Sequence, residues 1–122
     1  MAPERKLYQD LKKNTKGIIW NRIENLSLLG MPDVLGYNNS GVFFTVELKV
    51  TKGNKVKFSP NQIGFHKSHP NKTFILVRTL GPRSLKLVPG SEIHDLWSVG
   101  HDSCLTVADS WTAVQETFNN IF

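Results

Sequence analysis

Gly30-Met31-Pro32-Asp33-Val34-Leu35-Gly36, followed by Phe43-Phe44-Thr45-Val46-Glu47-Leu48-Lys49-Val50, is the stretch on which the reading of this chain turns. Its first part places an acid directly after a proline turn. Its second sets Glu47 and Lys49 two residues apart inside an apolar run. Residues i and i+2 of a strand share a face, so Glu47 and Lys49 are expected to project together with Phe43 and Thr45. Phe44, Val46, Leu48 and Val50 are then expected to fill a core on the other side. Asn38-Asn39-Ser40-Gly41, between the two parts, has the residue types that accept the positive φ of a hairpin turn. Adjacent strands, Val34 to Tyr37 and Val42 to Val50, would bring Asp33 toward Glu47.

Outward from this hairpin, Pro3 to Asn14 reads as a helix, with proline at its start and Leu7, Tyr8 and Leu11 on one stripe. Glu4 falls on the same stripe. It is either a first-turn acid favoured by the helix dipole or a carboxylate aimed at the edge of a site. Ile18 to Asn25 alternates like a strand, and Leu26 to Met31 connects it to the hairpin. Thr51 to Lys57 is a lysine-rich loop. Ser59-Pro60-Asn61-Gln62 is a capping box with proline at the first helical position, opening a helix to about Ser68. Thr73 to Thr79 reads as a strand buried on both faces, and Ser84 to Val88 as another. A short helix is expected over Ser91 to Val99. A longer one is expected over Val107 to Phe122, with Trp111, Val114, Phe118 and Ile121 on a stripe. Trp97 and Trp111 are expected in the core. The order predicts an α/β sandwich around a mixed central sheet.

The 122 residues are the size of one domain with one real core, and 39% hydrophobic with 20% charged residues is ordinary for a globular protein. No apolar run approaches a bilayer span, and the first residues lack an apolar signal core, so neither a membrane protein nor a secreted one is expected. One cysteine, Cys104, excludes an internal disulfide and a Cys-based zinc cluster and suits a reducing, cytoplasmic-type compartment. His94 and His101 have no metal-like companions. The net charge of +5 favours an anionic partner. Basic residues gather early, Arg22 among them, and again around the hairpin. Lys52, Lys55 and Lys57 could grip phosphates or belong to a solvated loop. His66 and His69, about one and two turns after Gln62, could face nucleic acid or be ordinary surface.

Cleaving a phosphodiester requires a neutralised phosphate and a water made nucleophilic near pH 7, and a divalent cation does both. Magnesium prefers hard oxygen ligands and keeps several waters, so one or two carboxylates suffice. Asp33 and Glu47 could supply them, with Lys49 orienting the water and stabilising the developing charge. Taken singly, Asp33 could cap a turn, and Glu47 with Lys49 could be an exposed pair contributing under about 1 kcal/mol.

Pro32-Asp33 followed by Glu47-Leu48-Lys49 resembles the signature of the PD-(D/E)XK nuclease superfamily. Trp20 to Asn25 ahead of Gly30 to Asp33, and Ser59 to Gln62 after the lysine loop, resemble stand-alone nucleases of the VRR-NUC type and phage Holliday junction resolvases. The likeness spans about residues 4 to 80. It implies a restriction-endonuclease-like α-β-β-β-α-β core over about 4–88 and a C-terminal helical extension over about 90–122, in one nuclease domain. It also implies a Mg2+- or Mn2+-dependent DNA endonuclease. Asp33, Glu47, Glu4 and the Leu48 backbone carbonyl would be metal ligands, Lys49 the catalytic lysine, and Gln62 a residue near the scissile phosphate. Glu24 rivals Glu4 as the further acid. One amide is not expected to serve fully both the capping box and the active site. Lys52, Lys55, Lys57, His66 and Arg22 are the expected DNA contacts. Branched DNA is the first choice of substrate, with flaps, nicks or duplex as alternatives and a non-catalytic binding module as a different class. A phage-encoded protein acting in the host cytoplasm fits the resemblance. Symmetric cutting of a junction implies a homodimer, with its interface sought around Trp97, Trp111 and Phe118. No small-molecule substrate is expected.

Overall fold

The structure, a computed structural model, describes residues 3–23 and 30–122. The elements run α1 (Pro3–Asn14), β1 (Ile19–Arg22), β2 (Val34–Tyr37), β3 (Phe43–Thr51), α2 (Pro60–Ser68), β4 (Thr73–Leu80), β5 (Arg83–Pro89), α3 (Ile93–Ser98) and α4 (Trp111–Asn119), with short 3-10 turns on either side of α3. The five strands form one mixed sheet in sequence order, antiparallel except for β3 against β4. Parallel neighbours need a crossover connection, and α2 is that crossover. The α-β-β-β-α-β order expected from the sequence is present, followed by the expected C-terminal helices. Among the described residues, no helix is long and apolar enough to cross a membrane.

Alternation in β3 builds the two cores. Phe44, Val46 and Leu48 point to the face covered by α1 and α4, where they meet Leu7, Leu11, Leu76, Leu87, Val114 and Phe118. On the other face, Ile75, Val77 and Val88 pack with Val56, Ile93 and Leu96. β4 contributes to both, as a strand buried on two faces must. Arg78 pins α1 to the sheet through an ion pair with Asp10 at 2.8 Å.

The hairpin tip is a structural hub. Asn38 is buried; its Oδ1 accepts from the Ser40 and Val42 amides at 3.0 Å each, and its Nδ2 donates to the Phe118 and Ile121 carbonyls at 2.8 and 2.9 Å. One side chain therefore shapes the turn between β2 and β3 and satisfies carbonyls at the end of α4. Asn38→Ala is expected to cost about 2–3 kcal/mol, because it strands buried backbone groups; a denaturant melt measures it.

Several expectations are corrected. The C-terminal helix begins at Trp111 rather than Val107, because the chain before it pairs with β5: the Leu87 amide donates to the Ala108 carbonyl at 2.8 Å, and the Val107 amide to the Leu87 carbonyl at 2.9 Å. The segment read as one helix over Ser91 to Val99 is a 3-10 turn followed by the six-residue α3. Trp97 is 42% exposed rather than core, while Phe118 is fully buried and has no surface to offer a dimer interface. Trp111 is partly buried against the main core, as expected. β1 ends at Arg22; Glu24 and Asn25, with most of the expected connecting segment, lie outside the described residues.

Candidate active site

The β2–β3 register determines the site. Val34 pairs with Val46, so one step further Asp33 stands opposite Glu47, and directly opposed residues share a face. Asp33 Oδ2 accepts from the Leu48 amide at 2.7 Å, continuing the pairing of β3 just ahead of the first residue of β2. The amide and carbonyl of one strand residue lie on the same edge, so the Leu48 carbonyl also lies on the edge toward Asp33. The Asp33 carbonyl accepts from the Ile23 amide at 2.9 Å, which extends the pairing with β1.

Glu47 is only 2% exposed, and its Oε1 has no hydrogen-bond partner. Burial, then the hydrogen bond and charge of Asp33, push its carboxyl up to about 10, against a pull downward from Lys49. Its Oε2 accepts from Gln62 Nε2 at 3.3 Å. Gln62 Oε1 accepts from Lys49 Nζ at 3.1 Å and from the Ser59 amide at 3.0 Å, while the Gln62 amide donates to Ser59 Oγ at 3.2 Å. The capping box and the contacts to Glu47 and Lys49 therefore coexist on one side chain, contrary to expectation. They can, because a carbonyl oxygen has two lone pairs and the amide nitrogen is left for the carboxylate. Lys49 Nζ also sits 4.7 Å from the centre of the Phe58 ring, a contact the sequence reading missed. Phe58 precedes the helix cap and Ile63 follows it, and both pack against the second core. That spacing is a hydrophobic staple, the signal by which Phe58 could have been found.

Glu4 stands at the rim of this group, exposed at the first turn of α1. Partial burial and then the charge of Asp33 raise its pKa, while Lys49 and Arg22 draw it down. A cavity of about 430 Å³ opens beside it, lined by Glu4, Lys49, Lys52, Lys55 and Lys57 among others. Lys55 Nζ is tied to the Ser98 carbonyl at 2.7 Å. Arg22 lies with its guanidinium carbon 5.1 Å from the Tyr8 ring centre. His66 is a correction: it is fully buried, so it offers no surface to DNA, and burial holds its pKa down to about 4.

Among the described residues, no three His, Cys, Asp or Glu side chains converge as a metal cluster. A hard divalent cation needs no such cluster. Two opposed carboxylates, one with a buried oxygen lacking any partner, form a donor set that fits one.

No family model matches the chain, and no curated protein does. Among solved structures, Hjc, a Holliday junction resolvase from the archaeal hyperthermophile Archaeoglobus fulgidus, is similar over 73% of this chain and 75% of its own, at 19% identity and a TM-score of 0.52. At that identity the likeness is one of fold, and the fold of this chain is the restriction-endonuclease-like α/β fold that the Pro32-Asp33 and Glu47-Leu48-Lys49 signature implied.

Proposed function

We propose that the protein is a divalent-metal-dependent endodeoxyribonuclease that hydrolyses phosphodiester bonds in branched DNA. The observation that carries this reading is the half-buried Asp33 set opposite the buried Glu47, one of whose carboxyl oxygens has no hydrogen-bond partner. Two carboxyls held opposite each other resist ionising together, which is part of what raises Glu47, and a cation between them would relieve that cost. Asp33, Glu47 and the Leu48 carbonyl are the proposed ligands, and Glu4 reaches the site from its rim. A bound Mg2+ or Mn2+ supplies charge neutralisation at the phosphate and an acidified water. Lys49, positioned by Gln62 and Phe58, places its ammonium where negative charge develops on the phosphoryl oxygens. Lys52, Lys55 and Lys57 hold flanking phosphates, which fixes register without reading sequence.

The likeness in fold to an archaeal junction resolvase supports a four-way junction as substrate. A junction is resolved by paired cuts, so we propose a homodimer; with Phe118 buried, Trp97 is the exposed residue of the interface first considered. Labelled four-way junction, flap, duplex and single-stranded DNA, each with Mg2+, Mn2+ or EDTA, test the reading. The junction is expected to be cut in either metal and left intact in EDTA. Retained DNA binding with no substrate cut in any metal would make the protein a non-catalytic binding module instead. Light scattering of the DNA complex is expected to give two protein copies.

A further inference from the structure

Beside the first cavity lies a second of about 720 Å³, of whose lining only Glu4 and Lys52 have a role above. The two cavities share Glu4, Val50, Thr51 and Lys52, so they are adjoining chambers of one cleft. The second chamber gathers Arg5 from α1, Arg22 from β1 and Lys52 from the loop after β3. Three cations from three separate elements are not the solvated face of a single helix. The rest of its wall combines apolar Pro3, Val50 and Leu80 with Thr51 and Glu4, the three cations outnumbering the one carboxylate, and Leu80 is 44% exposed at the end of β4. Such a chamber takes a ligand with an anionic end and a flat apolar body. Its volume falls in the range of small-ligand pockets, roughly 300–1,000 Å³, which accommodates one nucleotide.

We propose that this chamber is a nucleotide subsite, receiving one unpaired nucleotide next to the scissile phosphate. The base lies on Leu80, Pro3 and Val50, and Arg5, Arg22 and Lys52 hold its phosphate. The inference rests on the nuclease reading above and specifies its substrate class. A base in continuous duplex is stacked and paired, and withdrawing it is costly, least so where it is already unpaired. The subsite therefore favours DNA carrying an unpaired or splayed nucleotide at the cut, such as a branch point or flap, over continuous duplex. Arg22 is pre-oriented for this by its stacking on Tyr8.

The test uses the full chain with four-way junctions carrying 2-aminopurine in turn on each side of the branch, and the same label in continuous duplex. Binding is first measured in EDTA, which separates it from cutting. Wild type is expected to change the fluorescence of one junction label several-fold and leave the duplex label unchanged. Leu80→Asp should abolish that change, and Arg5→Ala should weaken junction binding about tenfold. In Mg2+, the ratio of junction to duplex cleavage should fall about tenfold in Leu80→Asp. Leu80→Ala, which adds no charge, is the second variant should Leu80→Asp not fold, and should at least halve the fluorescence change. The proposal is overturned if junction and duplex labels respond alike, or if folded Leu80 variants keep both the wild-type signal and the wild-type ratio. A wild-type protein that gives the junction signal but cuts nothing would support the subsite while defeating the nuclease reading.

Discussion

Asp33→Asn is expected to lower DNA cleavage at least about a hundredfold while leaving the fold and the affinity for DNA in place. The substitution is isosteric, and an asparagine oxygen can still accept from the Leu48 amide, so the 2.7 Å contact with β3 survives. What disappears is one negative charge opposite a buried carboxyl. Loss of that charge removes a reason to hold a cation. It also removes one of the causes that push the Glu47 carboxyl upward. The two consequences point in opposite directions for function and stability. Cleavage collapses, whereas the melting temperature of the metal-free protein holds or rises by a few degrees. A structural aspartate would behave the other way, costing stability and sparing rate. Rates on the preferred substrate, melting curves in EDTA and binding titrations are the three measurements. Wild-type cleavage by Asp33→Asn would remove Asp33 from the site.

How much of this was legible in the sequence follows from which residues carry local signals. Strand periodicity gave both faces of β3, because one of them is continuous apolar core. The hairpin signal at Asn38 to Gly41 gave the register that sets Asp33 against Glu47, and Ser59 to Gln62 announced the start of α2. His66 was misread for a geometric reason. It was correctly placed one turn after Gln62, but Gln62 itself points inward to Glu47, so its neighbour on that stripe goes into the interior. Gly90 leaves the room: a Cβ there would come within 2.8 Å of His66 Nδ1. No local pattern announces a packing contact between residues 24 positions apart. Val107 and Ala108 were absorbed into the expected final helix because their apolar character serves an edge pairing with Leu87 just as well. The chamber formed by Arg5, Arg22, Lys52 and Leu80 draws on four distant segments, and only the fold brings them together.

Raising the pH from 7 to 9 is expected to destabilise the metal-free protein, and Mg2+ is expected to cancel much of that loss. The folded Glu47 carboxyl is pushed up to about 10 from an ordinary 4.5. Between those values the folded state keeps a proton that the unfolded chain has released, so each increase in pH favours unfolding. One such proton is worth at most about 1.4 kcal/mol per pH unit, enough over two units to lower the melting temperature by up to about 10 °C. His66 acts in the opposite sense at lower pH. Its folded pKa is depressed from 6.5 to about 4, so it withdraws stability as pH falls through that interval, which is why the series starts at 7. Cys104, raised from 9.0 to about 11, adds to the loss in the same sense as Glu47, but only near the upper limit and beyond it. On the proposed reading a divalent cation would take the place of the proton on the Asp33–Glu47 pair, so its stabilising effect should grow with pH. Glu47→Gln keeps a neutral side chain that can still accept from Gln62, and should flatten the pH dependence and abolish the response to Mg2+. Melting curves at pH 7, 8 and 9 with EDTA or Mg2+ decide the matter. A wild-type profile flat in EDTA, or a Glu47→Gln profile as steep as wild type, would show that Glu47 is not the protonated carboxyl that the cation displaces.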